Sequence, residues 1–174
     1  MKPPSYNLYV ADKGNGRIQK FSNTGAFISQ IGTQGSGNGQ LNGPVGVAVD
    51  NLGNVYVTDK GNYRVQKFDS NGAYLAQWGS QGTGNGQFNV IGYGLAIDSN
   101  NNVYVGDEQN NNIQVFNSNS VYLLQWGTTG TGNGQFGGTT VPYYGVSGIA
   151  VDSNGNVYVT DATLSRVQKF APLP

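Results

Sequence analysis

The residues of this chain that could do chemistry are mainly its acids, because it contains no histidine and no cysteine. The lack of histidine removes the commonest general base and the commonest metal ligand. The lack of cysteine excludes thiolate chemistry and disulfides. Nine Asp and Glu residues remain, and a hydrolase can work with a pair of carboxylates. A carboxylate enzyme is therefore the form of catalysis that the composition still allows.

Most of these acids recur at fixed positions, which argues against catalysis. The recurrent acids are Asp12, Asp50, Asp59, Asp98, Asp107, Asp152 and Asp161. Only Asp69 and Glu108 fall outside the pattern. An active site uses one arrangement of groups, whereas a copy in each unit is typical of a structural role. We therefore predict no catalytic residues and a protein that is not an enzyme.

Three of the recurring aspartates are followed, five residues later, by an arginine. The pairs are Asp12 with Arg17, Asp59 with Arg64, and Asp161 with Arg166. The third unit has Asn112 in place of the arginine. Asp and Arg form charge-assisted hydrogen bonds. We predict a partly buried clamp that ties each turn to its neighbour.

A second set of acids opens short polar turns, at residues 50–54, 98–102 and 152–156. The sequences DNLGN, DSNNN and DSNGN resemble the first half of a calcium loop. The bidentate Glu that completes an EF-hand is missing, and capping of a tight turn explains Asp and Asn equally well. We predict turn capping, with no metal and no cofactor.

Three glycine-rich loops could be taken for phosphate cradles: GTQGSGNGQL, GSQGTGNGQF and GTTGTGNGQF. A P-loop needs a Lys and a Ser or Thr at its end, and a dinucleotide-binding loop needs a following helix. Neither follows these loops. Because the loop recurs at one place in the repeat, we predict a connector in which glycine permits positive φ.

All these positions belong to one internal repeat. Asp12, Asp59, Asp107 and Asp161 are separated by 47, 48 and 54 residues, and four phenylalanines keep the same spacing. The sequence pattern of the repeat unit predicts four short strands bounded by Gly, Asn, Asp or Ser. In the second unit these strands cover 45–50, 55–59, 64–68 and 74–78.

The strand sequences favour a radial array of blades. The first strand of a unit alternates Val with Gly or Ala, which suits a crowded centre, and the fourth carries Trp78 or Trp126, which suits a wide rim. The segment GPVGVAVDNLGNVYVTDKGNYRVQKFDSNGAYLAQWG and its copies resemble the NHL repeat. The resemblance covers nearly the whole chain and implies an NHL-type β-propeller, which usually has six blades in that family.

We therefore predict one all-β domain over 1–174, an NHL-type β-propeller or propeller segment with almost no helix. Its four units cover about 1–40, 41–86, 87–134 and 135–174. The first unit begins at its second strand and the last ends at its third. The expected blades have three, four, four and three strands, 14 in all.

A lone arc of four blades would expose two blade faces and two strand edges, which soluble monomers rarely tolerate. Chains could associate into a ring or a filament, a longer protein could supply further blades, or four blades could close alone. Two chains would supply eight blades rather than six. We favour self-association.

An insertion breaks the repeat at residues 137–145, GGTTVPYYG. It brings two adjacent tyrosines, Tyr143 and Tyr144, and the preceding unit carries Tyr93 at the corresponding loop. Repeat proteins often place insertions on a binding face, and tyrosine is a frequent contact residue. We predict these three residues to bind a partner. The alternative is a loop that only packs over the last blade.

The charge and composition of the chain narrow the classes of partner that it could bind. Nine Lys and Arg balance nine Asp and Glu, so there is no net field to attract nucleic acid. Some NHL domains bind RNA through a basic face, but the recurring Lys20, Lys67 and Lys169 form a sparse ring interrupted by Val115. No apolar run reaches the ~20 residues of a membrane span. The abundance of small polar residues with few charges favours the cell surface or exterior.

The predicted function is a non-enzymatic scaffold that binds a protein or glycan through its inter-blade loops or completes its propeller by oligomerisation. One alternative is a hydrolase or lyase-like enzyme with a carboxylate site. Some NHL-type propellers resemble amidating lyases, but their metal-bound histidines have no counterpart here. The second alternative is an RNA-binding NHL domain.

Overall fold

The computed structural model describes residues 6–139 and 145–173. Four antiparallel sheets follow one another along the chain, and each forms one blade. Blade 1 contains β1 (Leu8–Asp12), β2 (Arg17–Phe21) and β3 (Phe27–Ile31). Blade 2 contains β6 (Pro44–Val49), β7 (Val55–Asp59), β8 (Arg64–Phe68) and β9 (Tyr74–Trp78). Blade 3 contains β10 (Ile91–Ile97), β11 (Val103–Asp107), β12 (Asn112–Phe116) and β13 (Tyr122–Trp126). Blade 4 contains β16 (Val146–Val151), β17 (Val157–Asp161) and β18 (Arg166–Phe170).

The prediction of an all-β propeller fold is confirmed, but the count of 14 strands is wrong. The described residues form 18 strands, because the glycine-rich connectors add four short ones. These are β4 (Thr33–Gln34), β5 (Gln40–Leu41), β14 (Thr128–Gly130) and β15 (Gln135–Gly137). They pair in parallel, β4 with β5 and β14 with β15, because each connector makes a full loop and then runs again in its first direction. Two or three residues are too few for a strand pattern to be visible in the sequence.

Helix is almost absent from the described residues, as predicted. Two short 3-10 helices, Lys13–Asn15 and Lys60–Asn62, form the turns that follow β1 and β7. Nowhere in residues 6–139 and 145–173 is there a helix long and apolar enough to cross a membrane.

The core lies between the blades, since each blade packs both of its faces. In blade 2 the leading face, which looks toward blade 1, buries Val55, Val57 and Phe68. The trailing face, which looks toward blade 3, buries Tyr56 and Val65. This arrangement explains why strand β7 shows no polar alternation, because a sheet buried on both faces has no solvated side.

The first strands of the blades come closest together. Strand β10 contacts both β6 and β16. A Cβ added at Gly46 would lie 2.8 Å from the backbone oxygen of Tyr93, and one added at Gly94 would lie 2.9 Å from Ile149. Glycine is therefore required where neighbouring blades converge.

Large aromatic rings bridge neighbouring blades near their fourth strands. The ring of Trp78 packs edge-on against Tyr56 at 6.2 Å and contacts Phe116 of the next blade at 5.6 Å. Trp126 makes the same pair of contacts one blade further on. Small residues at the centre and tryptophan on the fourth strands give the blades their wedge shape.

Candidate functional site

The aspartates of the clamp position (Asp12, Asp59, Asp107 and Asp161), the arginines and the glycine-rich connectors meet on one side of the molecule, which we call the loop face. It consists of the turns at 12–17, 59–64, 107–112 and 161–166 and the connectors at 32–43, 79–90 and 127–138. Hydrogen bonds join the two sets: the amide of Asn62, for example, donates to the backbone oxygen of Gly35 at 3.0 Å. The loop face therefore holds the predicted clamps.

The clamp of blade 2 is buried. The Nε of Arg64 donates to Oδ2 of Asp59 at 2.8 Å, and the amide of Gln66 donates to the same oxygen at 3.0 Å. The other carboxylate oxygen accepts the backbone N–H of Asn42 at 2.7 Å. The clamp thus ties its own turn to the connector that arrives from blade 1.

The arginine of the clamp also fills a cradle of backbone oxygens, which the sequence did not predict. The guanidinium of Arg64 donates to the carbonyls of Gly37 and Gln40, both at 2.9 Å, and to Oε1 of Gln77 at 2.7 Å. Arg166 fills the corresponding cradle of blade 4, where it donates to the carbonyls of Thr131, Gly132 and Gln135. A guanidinium is planar and carries several N–H donors, so it can donate to all the carbonyls of one cradle at once.

The structure brings each predicted clamp pair together. The Nε–Oδ2 distance is 2.9 Å for Arg17 and Asp12 and 3.3 Å for Arg166 and Asp161. The blade 1 pair is the more exposed, with a third of the Arg17 side chain accessible. Hydrogen bonds from Asn15 and from Arg17 hold the pKa of Asp12 below its ordinary value.

The third copy of the clamp lacks its cation. Asp107 accepts hydrogen bonds from the backbone N–H groups of Asn89, Val90, Gln109 and Asn110. Asn112, in the arginine position, is buried, and its Oδ1 has no hydrogen-bond partner within the described part of the chain. The only sign of this in the sequence is the break in the Asp–Arg repeat.

The acidic turns lie on the opposite side of the molecule, where each aspartate is occupied by its own turn. Oδ1 of Asp50 accepts the backbone N–H groups of Leu52 and Asn54, and Oδ2 accepts the Asn54 amide and the Tyr56 hydroxyl. Asp98 and Asp152 repeat this pattern. Burial raises the pKa of Tyr56, and the charge of Asp50 adds to the effect.

Of the tyrosines predicted to bind a partner, Tyr93 is the one that can be placed. It lies inside β10 rather than in a connector, which corrects the expected position, because β10 begins earlier and contains a bulge between Ile91 and Leu95. Its ring is half-exposed, and Nζ of Lys60 lies 5.6 Å from the ring centre. Tyr143 and Tyr144 lie outside the described residues.

Lys60 also bridges blades 2 and 3. Its Nζ lies 2.7 Å from Oε2 of Glu108, which is largely buried. Tyr93, Lys60 and Glu108 therefore form a cluster on the loop face that the repeat pattern did not reveal. The signal was available in part, since Glu108 was one of two acids outside the repeat.

The recurring lysines mainly bind the neighbouring blade. Nζ of Lys20 donates to the carbonyl of Ser70 at 3.0 Å, and Nζ of Lys67 donates to that of Ser118 at 3.1 Å. Lys169 lies over the ring of Tyr158 at 5.5 Å. Lys20 and Lys67 thus join consecutive blades on the side away from the loop face.

Known proteins share this repeat and this fold. The NHL repeat family model matches residues 41–68, 94–116 and 143–170. Virginiamycin B lyase from Staphylococcus aureus aligns with 97% of this chain and 53% of its own at 13% identity and a TM-score of 0.61. A protein of unknown function from Bacteroides thetaiotaomicron aligns with 95% of this chain and 44% of its own at 19% identity and a TM-score of 0.69.

A third structure, the WD40 β-propeller domain of Doa1, aligns with 96% of this chain and 46% of its own at 15% identity and a TM-score of 0.60. At these identities the likeness shows the fold alone, and this chain spans about half the length of each of these structures. No curated protein sequence matches the chain. The family matches and the shared fold show that this chain contains NHL repeats and has a β-propeller fold.

Proposed function

We propose that this protein is a non-enzymatic scaffold that assembles head to tail, with the leading face of blade 1 packed against the trailing face of blade 4 of another copy. The observation that carries this proposal is the exposure, at both ends of the arc, of side chains whose repeat counterparts are fully buried between blades.

The leading face of blade 1 is apolar and open. Leu8 and Val10 are 52% and 49% exposed, whereas their counterparts Val55 and Val57 in blade 2 are fully buried. Phe27, on β3, adds an exposed aromatic ring to this face. Burying such side chains contributes roughly 1.5–3 kcal/mol each, so this face gains stability when it is covered.

The trailing face of blade 4 is its complement. Val167 is 62% exposed, whereas its counterpart Ile113 is fully buried against blade 4. Tyr158 is partly exposed, whereas its counterpart Tyr104 is buried in the same cluster. The two open faces therefore present the same kinds of side chain that meet at each internal blade interface.

A polar contact would accompany this packing. Within the chain, Lys20 and Lys67 each donate to a carbonyl of the following blade. Lys169 occupies the same repeat position in blade 4 and is exposed. In a head-to-tail assembly it would donate to the carbonyl of Asn23 of the next copy, the counterpart of Ser70.

This contact joins two different surfaces, so it propagates into a closed ring or an open filament. The loop face and Tyr93 stay clear of it. In this proposal the loop face remains accessible to a partner protein or a glycan, which the assembly would display in several copies.

Two charged substitutions test the proposal. Val10→Asp blocks the leading face and Val167→Asp blocks the trailing face, so each variant alone should be monomeric in sedimentation velocity. An equimolar mixture should form a heterodimer, since each variant retains the face that the other lacks.

The matched control is Leu75→Asp, because Leu75 is as exposed as Val10 but lies on an internal blade. This variant should assemble like the unmodified chain. The head-to-tail proposal is wrong if only the Leu75→Asp variant loses assembly, or if the mixture of the Val10→Asp and Val167→Asp variants stays monomeric.

A further inference from the structure

Blade 3 keeps the backbone cradle that holds an arginine in blades 2 and 4. The connector before blade 3 folds like the one before blade 2: the N–H of Gln87 donates to the carbonyl of Gly84 at 2.9 Å, and the N–H of Gln40 donates to that of Gly37 at 3.1 Å. Gly82 and the corresponding Gly35 adopt nearly equal φ values of 154° and 150°. The carbonyls that receive Arg64 in blade 2 thus have counterparts in blade 3.

The glutamine that recurs in each repeat fixes the same arrangement. Nε2 of Gln114 donates to the carbonyl of Gln87 at 2.6 Å. Its Oε1 accepts the backbone N–H of Gly86 at 2.7 Å, as Oε1 of Gln66 accepts that of Gly39 at 3.0 Å. The wall of the cradle is therefore built by residues other than the arginine, and it persists where the arginine is missing.

The cradle of blade 3 contains a buried carboxylate with no cation among the described residues. Asp107 is fully buried. Its Oδ2 accepts two hydrogen bonds, from the N–H of Asn89 and the amide of Asn110, whereas Oδ2 of Asp59 accepts three. Two donors to Oδ2 of Asp59, the Nε of Arg64 and the amide of Gln66, have no counterpart at Oδ2 of Asp107 within the described ranges. The other oxygen of Asp107 accepts backbone N–H groups, so the carboxylate is hydrogen-bonded but has no paired cation in this part of the chain. A buried negative charge is stabilised by a paired cation.

The side chain that replaces the arginine leaves an acceptor unsatisfied. Asn112 is 7% exposed and its Oδ1 has no partner in the described part of the chain. No hydrogen bond joins its side chain to the carbonyls of Gly84 or Gln87. Its amide is too short to place donors where the guanidinium of Arg64 places them. Gln125, the counterpart of Gln77, is exposed, so the outer side of the cradle faces solvent.

We propose that this cradle, formed by Asp107, Asn112, Gln125 and the carbonyls of Gly84 and Gln87, binds the guanidinium group of an arginine side chain presented by a partner protein. A guanidinium supplies several N–H donors in one plane, which matches a set of acceptors that holds this group in blades 2 and 4. An ammonium group would reach fewer of these acceptors at once. The site lies between blades 2 and 3 and requires neither open end face.

The probe is Nα-acetyl-arginine amide, titrated into the full chain carrying Val10→Asp and followed by NMR of the backbone amides. This background is monomeric if the proposed assembly is correct and leaves the cradle unchanged if it is not. We expect saturable shifts at Gly84, Gln87 and Asn112 in the millimolar range. Nα-acetyl-lysine amide should bind at least about fivefold more weakly.

Two substitutions test the site in opposite ways: one should remove it and the other should create a second one. Asn112→Arg fills the cradle from within and should abolish the shifts. Arg166→Asn empties the cradle of blade 4 and should create a second set of shifts around Gly132 and Gln135. If Asn112→Arg does not fold, the gain of a site in Arg166→Asn and the preference for arginine over lysine decide the outcome. Equal shifts with both probes, or no second site, would overturn the proposal.

Discussion

At the scale of the residue, the Asp–Arg pair contributes a different amount of stability in different blades because its burial differs. In blade 2 the side chains of Asp59 and Arg64 are 0% and 9% exposed, whereas Asp12 and Arg17 in blade 1 are partly accessible. An exposed ion pair contributes little, whereas breaking a buried pair leaves a charge without its partner. The repeat pattern alone does not distinguish the two cases.

We therefore expect Asp59→Asn to lower the free energy of unfolding by about 3 kcal/mol. Asp12→Asn, the matched control, should lower it much less, because solvent screens an exposed ion pair. Urea denaturation at one fixed protein concentration measures both. Equal losses would contradict the view that burial sets the strength of the clamp.

The acidic turns make stability depend on pH. Hydrogen bonds hold the pKa of Asp152 below its ordinary value of 3.8, and the one from the Asn156 side chain has the largest effect. A carboxyl whose pKa is lowered by folding stabilises the fold above the unfolded value, and this contribution is lost as the pH falls through the folded value. The turn therefore loses stability below about pH 4.

Asp152→Asn should be less stable than the unmodified chain at neutral pH, because an amide cannot accept all four hydrogen bonds. It should also lose less stability on acidification, since one titrating group is gone. Urea midpoints measured across the acid range test this. A variant with the same acid sensitivity as the unmodified chain would show that the turn carbonyls and amides, rather than the charge, stabilise it.

The sequence predicted the clamp pairs but not the acceptors of the arginine. A spacing of five residues across a turn is visible in the repeat, and it places Asp and Arg opposite each other in the ladder, as Asp59 and Arg64 are. The carbonyls of Gly37 and Gln40 have no side-chain signature. Their role depends on the way the connector folds over the arginine.

At the scale of the element, strand positions follow closely from the pattern of residues. Strands β7, β8 and β9 have the predicted bounds, and β6 begins and ends one residue earlier. Alternating Val and Tyr between Asn- and Gly-rich turns is a strong local signal. The position of Tyr93 was missed because a bulge extends β10, and bulges depend on tertiary packing rather than on local sequence.

The connectors depend on glycine where their backbone passes close to a turn of the blade that they leave. Gly79 has a φ of +112°, and a Cβ there would lie 2.7 Å from the carbonyl of Tyr63. Gly25 also has a positive φ, of +82°, but a Cβ there would have no atom within 4 Å. Conformational strain is common to both positions, whereas a backbone clash occurs only at Gly79.

Gly25→Ala should therefore cost about 1–2 kcal/mol of stability, the value for a non-glycine residue in the left-handed region. Gly79→Ala should cost clearly more, because the backbone of the turn at Tyr63 must move as well. Thermal unfolding of the two variants gives the comparison. A loss at Gly79 no greater than that at Gly25 would mean that the connector adapts freely.

At the scale of the whole molecule, the described blades form an arc with two open faces. The sequence predicted these faces from the strand count, and the period of two along each strand predicts which side chains point outward. The proposed match between the two faces could not be predicted from the sequence, because it is argued from how blades 2 and 3 pack. The exposure of Leu8 and Val10 at one end and of Val167 at the other is significant because their counterparts in blades 2 and 3 are buried.

The most direct test of this account is the mass of the unmodified chain in solution. Sedimentation equilibrium over a range of concentrations should give a mass that rises above the 18.4 kDa of one chain toward a multiple of it, as the open faces pair. A single species of 18.4 kDa at all concentrations would contradict the proposal that these faces associate.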